Sequence, residues 1–196
     1  MNIFIYIYSM SIKGTTTTAD YIPFERATVV GEKLLRDDKS RRIGLYVIIA
    51  INTGLRISDL LPLRFQDMQG ENLLLVEKKT RKKRQIKINR SVRNALNSFD
   101  ANQNDYLFVS QKGSTYRPQS LNRILKGIFK KESKTLNISS HSLRKSFGRQ
   151  VYERFGETEK ALTTLSELFN HSSQGITRKY LGIRQEELND IYDGLD

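Results

Sequence analysis

Apolar residues recur at helical spacing through most of the chain. Between Phe24 and Leu35, the residues Val29, Val30, Leu34 and Leu35 share one such period and predict a first helix. Asp37 to Ser40 interrupts it. A strongly apolar second helix then runs from Ile43 to Thr53 and stops at Gly54, the residue type best suited to closing a helix C-terminus. Arg56 opens a short third helix, Ile57 to Leu61, before Pro62. The period then changes. Leu73 to Val76 and Gln85 to Ile88 are short β-prone runs joined by Glu77 to Arg84, which reads as a hairpin with an almost wholly cationic tip.

Helical spacing returns at Ser91 to Phe99, and Leu107 to Val109 is expected to form one more strand. Gln119 to Glu132, after Pro118, reads as a basic amphipathic helix. Ser139 or Ser140 caps a longer helix reaching about Phe155, with Phe147, Val151 and Phe155 as its core stripe. Glu157 to Phe169 is a further helix capped near Thr158; His171 lies just past its end, and Tyr180 follows a short polar segment. Leu188, Ile191 and Leu195 form a last stripe, which packs on the core or docks on a neighbouring copy. The pattern predicts a mainly α fold with a small β-hairpin, of the α+β class. Residues 1–19 are expected to be an arm and linker, 20–182 the functional unit and 183–196 a tail.

Composition narrows the functional classes. The 196 residues carry 33 Lys and Arg against 21 Asp and Glu, a net charge of +12, which points to a polyanionic partner. Nucleic acid is the first candidate, ahead of a membrane surface or an RNA-binding scaffold. The absence of cysteine excludes disulfides, thiol catalysis and thiolate metal sites, and only two histidines argue against a His-rich zinc site. The opening Met1 to Met10 is apolar but lacks a basic flank and falls short of the ~20 residues that span a bilayer. It reads as a strand-like or mobile arm, and Thr15 to Thr18 as a linker. The protein is expected in the cytoplasm with the nucleoid, with no membrane partner.

Both histidines sit near residues able to act on a phosphodiester: His141 precedes Arg144 by one helical turn, and His171 precedes Tyr180. Breaking that bond builds negative charge on the non-bridging oxygens, and a catalyst without a metal must supply fixed cations there. A guanidinium is permanently charged, planar and bidentate, so Arg56 and Arg144 are the candidate clamp. Tyr180 is the candidate nucleophile, with Tyr152 and Tyr192 as alternatives, and Lys79 or its neighbour Lys78 the proton donor to the leaving hydroxyl. His141 is read as accepting the tyrosine proton or bonding the phosphate, and His171 as donating to a non-bridging oxygen. Asp59, one turn after Arg56, is expected to orient it. Lys78, Arg81, Lys82, Lys83 and Arg84 on the hairpin, with Arg123 and Lys126 on the basic helix, are candidate phosphate contacts. No metal-ligating residues and no cofactor are expected.

Thr53-Gly-Leu-Arg56-Ile-Ser-Asp59-Leu-Leu-Pro-Leu-Arg64, His141-Ser-Leu-Arg144, and His171 followed by Tyr180 together resemble the tyrosine recombinase, or phage integrase, family over about residues 20 to 190. The resemblance implies the family's mainly helical catalytic domain, with the lysine on a small β-hairpin. It also implies strand cleavage through a 3′-phosphotyrosine without metal or nucleotide, a double-stranded DNA partner, a homotetramer on that DNA, and accessory DNA-binding proteins. Some features depart from the family pattern. The hairpin reads Lys78-Lys79-Thr80-Arg81 where members often show Gly-Lys-Gly, and Asn170 stands where glycine is usual. Only about 20 residues precede the catalytic unit, where many members carry an N-terminal clamp domain; the chain is either a short, invertase-like member or a fragment. Related chemistry in a type IB topoisomerase, a DNA-binding regulator that has stopped cutting, and a metal-dependent nuclease are the competing readings.

Overall fold

The computed structural model describes residues 19–130 and 136–195, leaving aside the side chains of 184–187. The expectations for the opening arm, for Thr15 to Thr18 and for the end of the basic helix at Glu132 lie outside the described residues.

Helix α2 (Arg41–Thr53) is the centre of the molecule, with every residue from Ile43 to Ile51 buried. It packs against α1 (Phe24–Leu35), α4 (Arg90–Asn97) and α6 (Ser140–Arg154). The contact with α1 is close because glycine lines it. A Cβ on Gly44 would lie 2.6 Å from the Leu35 backbone nitrogen. Ala27, Val30 and Gly31 form the buried side of α1. Val29 is 56% exposed instead of joining the core, since only one side of this surface helix is covered.

Gly54 ends α2 in the left-handed region, at φ 60°. Any Cβ there would stand 2.3 Å from the Phe147 ring, so the position requires glycine for both backbone and space. The short α3 (Ile57–Leu60), a 3-10 turn (Phe65–Met68) and the antiparallel strands β1 (Asn72–Val76) and β2 (Lys83–Lys87) follow, with Leu73 opposite Ile86. Leu107 to Val109 does not form the expected strand: it is bounded by single bridges, Arg64 to Tyr106 and Val109 to Thr115. Its hydrophobic character comes from burial, because Leu107 and Phe108 are core residues.

The second half is helical: α5 (Pro118–Lys130), α6, α7 (Glu159–Phe169), α8 (Gln174–Leu181) and α9 (Ile183–Asp193). Hydroxyl caps fix the starts of α6, α7 and α8. Ser139 accepts from His141 N at 3.2 Å, Thr158 from Ala161 N at 3.2 Å, and Ser173 from Ile176 N at 3.3 Å, satisfying donors that a helix start leaves open. Tyr180 therefore lies within a helix and not after a polar segment. The residues of α8 are mostly polar, and only Thr177 and Leu181 are buried, so hydrophobic period alone does not reveal it.

Two cores result. The larger gathers α1, α2, α4 and α5, while a smaller one joins Tyr152, Ala161, Leu162, Leu165, Phe169, Leu181 and Ile183. Phe147 and Val151 pack against the smaller core, but Phe155, at the helix end, is 66% exposed. Leu188, Ile191 and Leu195 are also exposed. No helix among the described residues is long and apolar enough to cross a membrane.

Candidate active site

The site forms where the starts of α3 and α6, the end of α7, the hairpin and α8 meet. Arg56 is the residue before α3, positioned by the Gly54 turn. Its Nη1 donates to Glu77 Oε2 at 3.0 Å and its Nη2 to the Phe169 carbonyl at 2.8 Å. Arg144, 3% exposed, projects from the first turns of α6, donates to the same carbonyl at 3.3 Å and bonds the Gly54 carbonyl. Its guanidinium also covers the Phe169 ring at 4.2 Å. Burial pulls Arg144 down to about 10. It remains a cation at neutral pH.

Tyr180 presents its ring to His171 edgewise, with centroids 5.2 Å apart. Its hydroxyl is shielded from solvent and makes no hydrogen bond of good geometry among the described residues, although Arg144 stands close enough to act on it. Burial pushes the phenol up to about 12, against the opposing pull of Arg144 and Arg56. A buried Lys145 places its Nζ 5.3 Å from the centre of the same ring.

Both imidazoles are held below their ordinary value. For His141, at the start of α6, desolvation acts first, followed by Arg144, Lys145, Arg56 and Lys79. For His171 burial again acts first, followed by Arg144, Arg56 and Lys79. Lys79 is the hairpin lysine whose charge reaches both rings. His171 Nδ1 lies 2.9 Å from the Thr177 hydroxyl.

Asp59 does not hold Arg56. Its Oδ1 accepts from the Lys78 backbone N–H at 2.8 Å, fastening the hairpin to α3. The carboxylate that meets Arg56 is Glu77, 2% exposed, whose other oxygen receives Arg84 at 3.0 Å. Thr80 donates to Glu77 at 2.8 Å, and Asn170 approaches it at 3.5 Å. Burial works to raise the Glu77 carboxyl, but Thr80, Arg84 and Arg56 outweigh it and hold it low. Arg84 is thus committed to an internal pair and does not stand free to track phosphates. The sole sequence signal for Glu77 was one acid opening a run of cations.

The remaining hairpin cations, Lys78, Arg81, Lys82 and Lys83, are exposed. Lys82 donates to Asn170 Oδ1 at 2.7 Å, tying the tip to the loop before His171. Asn170 has φ 56°, which explains why glycine or asparagine suits this position. Arg123 and Lys126 stand exposed on α5, outside the buried stripe of Leu121, Leu125 and Phe129. No group of three or more His, Cys, Asp or Glu able to hold a metal ion occurs among the described residues.

The arrangement offers two fixed guanidiniums, a lysine, two imidazoles and a phenol around one space, a set suited to the charge of a phosphoryl transition state. Comparison with known proteins identifies the family. Residues 32–187 match the phage integrase family. The chain is 35% identical over 162 residues to the probable integrase/recombinase YoeC of Bacillus subtilis, covering 79% of this chain and 85% of that protein. It is 27% identical to tyrosine recombinase XerD of Listeria innocua, covering 82% of this chain and 58% of that one. The chain thus spans about half to three-fifths of the XerC and XerD relatives. In fold it resembles the XerA recombinase, with a TM-score of 0.65 at 21% identity, covering 92% of this chain and 66% of that one. The XerH site-specific recombinase bound to its palindromic difH substrate gives the same score at 21% identity, covering 96% and 60%.

Proposed function

The chain belongs to the phage integrase family, and on that premise we propose that it is a site-specific recombinase that cuts and rejoins double-stranded DNA through a covalent 3′-phosphotyrosine. Tyr180 is the nucleophile. Arg56 and Arg144 bind the non-bridging oxygens of the scissile phosphate, and Lys79 protonates the departing 5′ oxygen. His141 accepts the tyrosine proton, and His171 contacts the phosphate. The exposed hairpin cations Lys78, Arg81, Lys82 and Lys83, with Arg123 and Lys126, give affinity through the backbone. The reaction needs no metal or nucleotide, since the side chains supply the cations. The enzyme works as a tetramer on its DNA in the cytoplasm, with accessory DNA-binding proteins.

One observation carries this reading: Arg56 and Arg144 converge on the Phe169 carbonyl, and the Phe169 ring meets Tyr180 of α8 edgewise at 5.5 Å, which sets the phenol beside both guanidiniums. A phenol pushed up to about 12 is a poor nucleophile at neutral pH until a base removes its proton and the phosphate settles beside it.

The test uses DNA from the flanks of the gene, nicked so that cleavage is trapped, incubated in EDTA. A denaturant-resistant adduct on the 3′ phosphate, absent with Tyr180→Phe, is the expected result. Salt-sensitive binding without an adduct would overturn the reading in favour of a regulator that does not cut.

A further inference from the structure

Two buried hydroxyls behind His171 decide which of its nitrogens carries hydrogen. Ser166 Oγ lies 2.7 Å from the Leu162 carbonyl oxygen and 2.8 Å from Thr177 Oγ1. Thr177 Oγ1 in turn lies 2.9 Å from His171 Nδ1. Each hydroxyl has a single proton to give, and a carbonyl only accepts. Ser166 therefore donates to Leu162. Thr177 must then donate to Ser166, and it has only lone pairs left for His171. Nδ1 carries the hydrogen. The reverse order would set Ser166 lone pairs against the Leu162 carbonyl at 2.7 Å, with both hydroxyls buried.

The consequence falls on the other side of the ring. With hydrogen fixed at Nδ1, neutral His171 has a bare Nε2, and phosphoryl oxygens are also acceptors. Only the imidazolium can donate to them. In the protein alone, burial and the charges of Arg144 on α6, Arg56 before α3 and Lys79 on the hairpin keep the ring neutral. Among the described residues, the rings that meet it bring no charge at neutral pH: Phe169 at the end of α7 and Tyr180 on α8, with centroids 5.5 and 5.2 Å away. A phosphodiester bound among those cations places an anion where only positive charge stood.

We propose that Thr177 is a positioning residue that holds His171 with its Nε2 bare, so that His171 engages the scissile phosphate only by taking up a proton as DNA binds. This rests on the recombinase reading above. The step balances: one proton passes from solvent to Nε2, Nδ1–H stays bonded to Thr177, and the new Nε2–H is donated to a non-bridging oxygen. No bond to phosphorus changes.

Calorimetric titration with the nicked DNA, at about pH 7.5 in Tris and in phosphate buffers of different ionisation heat, counts protons exchanged on binding. Tyr180→Phe serves as the background, so that no cleavage intervenes. Net uptake is expected, most of it lost when His171→Ala is added. Thr177→Val accepts no hydrogen bond, so the neutral ring becomes free to carry hydrogen on Nε2, and uptake falls likewise. Thr177→Ser restores it, which separates the hydroxyl from mere packing. His141 titrates in every variant and cancels in the differences. The proposal is overturned by no uptake in the background protein, by unchanged uptake in Thr177→Val, or by equal loss in Thr177→Ser. Uptake without any adduct in the unaltered enzyme would refute cleavage and leave the role of Thr177 standing. Failure to bind DNA would end both.

Discussion

Arg56 and Arg144 donate to one and the same acceptor, the Phe169 carbonyl oxygen, at 2.8 and 3.3 Å. That carbonyl belongs to the last turn of α7, where unpaired carbonyls gather partial negative charge. The helix end thus offsets the repulsion between two guanidiniums and holds them together before any phosphate arrives. Arg144→Lys keeps the charge and loses the planar fork. Adduct formation is expected to fall about 100-fold, with little change in DNA affinity by titration. Unchanged adduct formation would show that Arg144 acts as a point charge only, and a comparable loss in both would show that its fork binds DNA before the reaction.

Glu77 gives the second prediction. It joins Arg56 to Arg84 and Thr80 of the hairpin, two residues before Lys79, and so couples the proposed clamp to the proposed proton donor. Glu77→Ala leaves two half-buried guanidiniums without their carboxylate and should cost about 3 kcal/mol in denaturant unfolding. Glu77→Gln keeps the shape, and its effect on chemistry is separable from folding. With ordinary DNA its cleavage should drop about 100-fold, as for loss of a general acid. With sulfur as the bridging 5′ atom, a leaving group that needs no proton, most of the loss should vanish. An equal defect on both substrates would place the effect at Arg56 instead of Lys79.

The candidate site residues stand out in the chain more openly than their partners do. Arg56, His141, Arg144, His171 and Tyr180 are legible because reactive side chains are rare and their order is distinctive. The helix caps at Ser139 and Thr158 are legible because a hydroxyl before an apolar period has a local cause. The partners of these residues are not legible. Glu77 reaches Arg56 only through the fold of the hairpin, and Thr177 reaches His171 across a turn of a polar helix. The Phe169 carbonyl is backbone and leaves no trace in side-chain pattern. Helical spacing pairs Asp59 with Arg56, but α3 is only four residues long and the Asp59 carboxylate takes the hairpin N–H of Lys78. Val29 and Phe155 fit a core period and still face outward, since periodicity marks a stripe and not how much of it neighbours cover.

Arg81 adopts φ 58° in the hairpin turn, in the left-handed region that costs a side-chain residue about 1 kcal/mol. Its N–H donates to the Glu77 carbonyl at 2.9 Å, so the turn cannot relax without opening the loop that holds Lys79. Arg81→Gly should raise stability by up to about 1 kcal/mol. It should also weaken DNA binding and reduce the slope of log affinity against log salt by about 1, if the side chain meets one phosphate. Thermal melts and salt titrations check the two effects independently. A more stable variant with an unchanged salt slope would place Arg81 off the DNA.

The depressed imidazoles set the pH dependence of the free protein. His141 and His171 both bind protons less tightly in the fold than at the ordinary value of 6.5, chiefly through burial and then through Arg144. Above 6.5 both folded and unfolded chains carry neutral rings, and these residues favour neither. As pH falls through 6.5 the unfolded chain takes up protons first, so stability declines until the folded rings also protonate at their lower values. Glu77 adds a second decline further down. Its carboxyl is held below 4.5, so its contribution is complete above that value and is lost as pH falls through its folded value. Thermal unfolding without DNA should therefore show a midpoint steady above about pH 7 and falling below it. His141→Gln together with His171→Gln should remove the first fall and leave the second, and a fall that survives the double substitution would place the titrating groups elsewhere. Bound DNA should move the first fall in the opposite direction, because a phosphate beside His171 favours the protonated ring that the free protein resists.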